Sequence, residues 1–149
     1  MKMRMMTLAF LILPVMAAAQ DGVVGVEAVG AEHFDGQCVS CHVVRDEAGQ
    51  VLAGRNARVG PNLYAIVGRA PGTLEDFRYS DDLVAYGETG AVWEEANFVA
   101  YVQDPTGFLR EALGDPSARA KMVYQVRDDQ EAHDLWAYLA SLAPAEAAE

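Results

Sequence analysis

Apolar residues recur at helical spacing in several short stretches of this chain, and no convincing run alternates as a strand would. The clearest stretch is the last. Ala132, Leu135, Trp136, Leu139 and Leu142 share one face behind a capping acid at Asp128 or Asp129. A first helix is expected over residues 30–40, where Ala31, Phe34 and Cys38 fall on one side. Residues 93–103 read as a helix that stops before Asp104-Pro105. Ser80 caps a short helix over 81–86, with acids in its first turn, and another short helix is expected over 62–67, ended by Gly68. Residues 44–58 are rich in Gly and charge, and residues 106–119 are broken by Gly107, Gly114 and Pro116, so both are expected to be irregular. The sum is an all-α domain of four to five helices with long loops. Such loops are odd in a compact domain unless something besides side chains fills the core.

The N-terminus follows a different pattern. Lys2 and Arg4 precede an apolar run over 5–16, and Ala17-Ala18-Ala19 supply small residues for cleavage. That order describes a secretory signal peptide over 1–19. A retained anchor is the alternative, but Pro14 lies within the run, which falls short of the roughly 20 residues a spanning helix needs. Cleavage would leave a loose leader over 20–29, one domain over 30–142, and a tail over 143–149 expected to fray. At 52% hydrophobic the chain can bury a core. Of its 11 Lys and Arg, the signal holds two; the remaining nine face 22 Asp and Glu, a net charge of −13. A basic footprint for nucleic acid is therefore absent. The same charge favours a soluble monomer and steers its encounters with basic patches on partners.

The chemistry centres on Cys38-Val39-Ser40-Cys41-His42. A disulfide or a thioredoxin-like redox pair could use two cysteines at this spacing, but the redox pair normally opens a helix after a strand, and no strand precedes it here. C-x-x-C-H is the signature of covalent haem attachment: two thiols one helical turn apart reach two vinyl groups, and the following His serves as an axial ligand. An electron carrier needs a second axial ligand, usually Met or His. Met122 is the only Met outside the signal. His33 sits on the expected first helix nine residues before His42, and His133 lies in the last helix, so Met122 is the expected ligand.

Taken together, these residues resemble the class I c-type cytochromes, specifically the larger soluble bacterial type related to mitochondrial cytochrome c. The resemblance spans residues 30–142. Gly30 and Phe34 match first-helix positions that pack on the last helix at Tyr138 and Leu139. Gly60-Pro61-Asn62-Leu63-Tyr64 with Gly68-Arg69, the aromatics Phe77 and Tyr79, the spacing of Trp93, Tyr101 and Pro105, and Lys121-Met122 match in order. The resemblance implies a cytochrome c fold around one haem c. It also implies that the Pro61 carbonyl accepts from the His42 ring, that Arg69, Tyr79 and Trp93 contact a buried propionate, and that Tyr101 lies near the Met122 sulfur. Ala65 stands where Gly is common, Tyr124 replaces the usual Phe, and Lys121 is the only Lys after the signal, so the usual lysine docking ring is nearly gone.

The expected function is a periplasmic monohaem electron carrier, not an enzyme, that docks transiently on larger redox complexes and has no permanent membrane insertion. A cytochrome subunit dedicated to one periplasmic dehydrogenase is the alternative. A haem catalyst would need an open iron position, which Met122 argues against.

Overall fold

A computed structural model describes residues 24–144. The expected signal over 1–19, the start of the leader and most of the tail lie outside the described residues. Five α-helices and one small hairpin make up the fold: α1 (Glu27–His33), β1 (Val43–Arg45), β2 (Val51–Gly54), α2 (Asp81–Glu88), α3 (Glu95–Gln103), α4 (Pro105–Leu113) and α5 (Asp129–Ser141).

The two ends of the domain are joined by α1 packed across α5. α1 begins three residues before the expected start because Asp134, 3% exposed on α5, accepts the Val26 N–H at 2.7 Å. Gly30 permits the crossing: a Cβ there would overlap the Asp134 carbonyl and lie 2.9 Å from the Tyr138 Cβ. Beyond His33 the helix widens into a π turn over Phe34–Cys38. The extra residue per turn re-aims the side chains that follow, here those carrying the thiols. Phe34 is 1% exposed, and its ring centroid lies 5.7 Å from that of Tyr138, with Leu139 in the same buried cluster.

Four expectations need correction. Residues 44–58 are not all loop: β1 and β2 pair antiparallel with a bulge at Val44/Arg45, closed by Asp46 accepting the Gln50 N–H at 2.8 Å. Strands of three and four residues are too short to show a period of two. Residues 62–67 form no helix, because the Asn62 side chain bonds the backbone of Arg45 on both sides, accepting at 2.9 Å and donating at 2.7 Å. Ala65 there takes a left-handed φ of 51°, a conformation glycine would enter at less cost. Residues 106–119 are not irregular throughout, since α4 fills most of them. Asp104 accepts the Gly107 N–H at 3.0 Å, Pro105 opens the helix, and left-handed Gly114 ends it. Trp93 also lies before α3, in an extended strip whose N–H donates to Arg69 at 2.9 Å and whose carbonyl accepts from Gly68 at 2.8 Å.

The α1–α5 contact yields a stability prediction. Phe34→Ala should lower unfolding stability of the holoprotein by about 3–5 kcal/mol in denaturant titration. A near-neutral result would contradict the buried contact.

Candidate functional site

The site is a cavity of about 220 Å³ lined by the π turn, Leu83 of α2, helices α3 and α5 and the loops between them, and walled mostly by apolar side chains. All nine expected site residues line it: Cys38, Cys41, His42, Pro61, Arg69, Tyr79, Trp93, Tyr101 and Met122. They come from separate stretches of chain, and the fold brings every one of them together.

The attachment segment enters from the end of the π turn. The N–H groups of Cys41 and His42 both donate to the Cys38 carbonyl, at 3.1 and 2.8 Å, which closes a tight turn and keeps both thiols on the cavity side. The cysteines are unbonded and half-buried. Burial, helped by Glu131 and Cys41, pushes the Cys38 thiol up to about 12. A thioredoxin-like pair needs the opposite, a thiol acidified into the neutral range.

His42 Nδ1 donates to the Pro61 carbonyl at 2.9 Å. A carbonyl can only accept, so the proton sits on Nδ1 and the Nε2 lone pair is free for a metal. Burial lowers the His42 pKa, with the Pro61 bond opposing it, and so favours the neutral, ligating form. Gly60 makes room for this ring: a Cβ there would overlap the imidazole, 2.6 Å from Nδ1 and 2.7 Å from Nε2. Sequence reading placed Gly60 in the matching Gly60–Tyr64 segment but gave it no role of its own; a glycine directly before the residue whose carbonyl accepts from His42 was the available signal.

On another wall, Arg69 donates to the carbonyls of Tyr64 at 2.8 Å and Asn62 at 3.1 Å. Burial lowers its pKa, with Tyr79 and Asp76 opposing, and it has no carboxylate ion-pair partner among the described residues. Tyr79 is raised by burial, and Tyr101 is pushed up to about 12 by burial and the nearby Tyr79, so both hydroxyls stay protonated as donors. Trp93 and Tyr101 meet edge to face at 5.2 Å. Neither other histidine lines the cavity. His33 lies 3.6 Å from Glu131, and His133 Nδ1 is 2.7 Å from Glu95.

Among the described residues no group of three or more His, Cys, Asp or Glu could hold a metal ion. One imidazole and one thioether are too few donors for a bare ion, yet they are what an iron already ringed by a porphyrin needs. The apolar walls, the paired thiols, the ring cradle at Gly60 and the half-buried arginine without a carboxylate ion-pair partner among the described residues all fit a haem with its propionates.

Comparison with known proteins decides the family. No protein-family model matches the chain. It is 56% identical over 116 residues to cytochrome c2 of Rhodovulum adriaticum, covering 78% of this chain and 92% of that protein. It is 45% identical over 136 residues to cytochrome c2 of Cereibacter sphaeroides, covering 91% and 90%. The chain belongs to the cytochrome c2 family. Its fold agrees: the crystal structure of cytochrome c2 from Rhodobacter sphaeroides superposes with a TM-score of 0.76 at 47% identity, covering 78% of this chain and 95% of that one. As a class I c-type cytochrome, the protein takes one covalent haem c and transfers electrons.

The Gly60 cradle can be tested alone. Gly60→Ala should cut the yield of haem-loaded protein several-fold and disturb its low-spin absorption spectrum, because the added methyl displaces the His42 ring. Unchanged yield and spectrum would show that the ring has room.

Proposed function

We propose that Cys38 and Cys41 hold the haem through thioether bonds and that His42 and Met122 are its two axial ligands. The observation that carries this reading is the convergence of all nine residues on one cavity. When bound, the haem supplies an iron that gains and loses one electron at a time. Pro61 fixes the imidazole of His42 in its ligating tautomer. Arg69, Tyr79 and Trp93 supply the counter-charge and donors that a buried propionate requires. Tyr101 shields the Met122 side of the cavity from water. Thioether ligation and burial both favour the ferrous state, which raises the potential. With His42 and Met122 both ligating, the iron would have no position left for a substrate, so the site would carry electrons and the protein would not be an enzyme.

The protein works in the periplasm, exported by the signal over 1–19, as a monomer that docks transiently on larger redox complexes. Among the described residues no helix is long and apolar enough to cross a membrane. The mouth of the cavity, beside Lys121, is the proposed docking face. Val59 and Val123 stand there 73% and 91% exposed, and the only charged residues in the cavity lining are the cations Arg69 and Lys121. In a chain with 22 acids, an apolar mouth free of acid is a selective surface.

Met122→Ala gives the test. The variant should keep its covalent haem, lose the weak red absorption band of sulfur on ferric iron, and fall in potential. Survival of the band in the variant, or its loss in His133→Ala instead, would overturn the assignment of Met122.

A further inference from the structure

The segment that carries Met122 has little backbone support. Ala120 donates its N–H to Thr106 Oγ1 at 3.3 Å, and Val126 donates to the Val102 carbonyl at 2.9 Å. Between them, residues 121–125 make no backbone hydrogen bond to the described chain. Side chains tie this strap down instead. Lys121 Nζ donates to the Arg78 carbonyl, Gln125 donates to Asp104 at 3.3 Å, and the Tyr124 hydroxyl donates to Gln37 Oε1. Gln37 in turn donates through Nε2 to Glu131 Oε1. Glu131 is itself placed by the first turn of α5, where its N–H donates to Asp128 at 3.0 Å.

The orientation of this relay follows from donor chemistry. A carboxylate only accepts, so Glu131 draws the NH₂ end of the Gln37 amide. The carbonyl end then points to the strap, where a hydroxyl can bond it and a phenylalanine ring cannot. Tyr124 thus stands where the family more usually has Phe, and its added hydroxyl meets an acceptor already turned to receive it. Tyr124, two residues after Met122, and Gln37, directly before Cys38, both line the cavity.

We propose that Gln37 is a positioning residue whose bonds to Tyr124 and Glu131 clasp the Met122 strap to α5 across the mouth of the haem cavity. The proposal rests on the reading of Met122 as an iron ligand. The clasp slows opening of the strap, and so protects the Met122 bond against competing ligands, while leaving haem attachment to Cys38 and Cys41 untouched.

The experiment is stopped-flow displacement of Met122 from the ferric holoprotein by saturating imidazole, followed at the red sulfur band. At saturation the rate is that of strap opening. Tyr124→Phe should open about threefold to tenfold faster, the range one net hydrogen bond supports, and Gln37→Ala should match it. The double variant should be no faster than either single change, because both remove one relay. In the ferrous protein, amide hydrogen exchange should quicken at residues 121–126 and stay unchanged in α1 and α5. Rates like those of the unsubstituted protein, effects that multiply in the double variant, or loss of protection spread across the helices would each overturn the clasp while leaving the ligand assignment standing. A ferric unsubstituted protein without the sulfur band would overturn the ligand assignment, and the clasp with it.

Discussion

The π turn after α1, helices α3 and α5 and Leu83 of α2 surround a cavity of about 220 Å³ in the place where a small domain ordinarily packs side chains. Its walls are mostly apolar and it opens to solvent at a mouth edged by Val59 and Val123, so without a group to cover them those walls would face water. The fold therefore calls for a large apolar group at its centre, and the other features follow from that need. Long connections replace helices around the walls because they line a cofactor rather than pack on a neighbour. Phe34, Leu135 and Leu139 serve both the α1–α5 contact and the cavity wall, so the joined termini and the cofactor stabilise one another.

Within that frame the polar groups divide the labour. The Pro61 carbonyl, the Gly60 cradle and burial hold His42 neutral and aimed. Arg69, half-buried in the walls, gives its donors to loop carbonyls, which orders residues 62–69 around the cavity. Among the described residues no Asp or Glu lines the cavity, although the chain as a whole is strongly acidic.

Much of this was legible in the sequence, and the exceptions have identifiable causes. The attachment motif could be read because five consecutive residues carry the whole chemistry. The last helix could be read because Ala132, Leu135, Trp136 and Leu139 keep a regular face, and all four are buried. Helix α4 was hidden because Gly107 and Gly114 look like breakers; Gly107 lies against the Asp104 cap, where a side chain would clash, and Gly114 is the stop signal itself. The expected helix over 62–67 failed because Asn62 spends its amide on Arg45, a partner 17 residues away that local spacing cannot reveal. The Gln37 relay was invisible for the same reason, since it links residues 94 and 87 positions apart.

The central claim is that one haem, bound covalently through Cys38 and Cys41, completes this core. Intact mass of the exported protein, taken after denaturation and extraction with acid and organic solvent, tests it most directly. The account predicts the mass of the chain from Gln20 plus one haem, with no titratable thiol. A haem that extracts freely, leaving two titratable thiols on a bare chain, would contradict it.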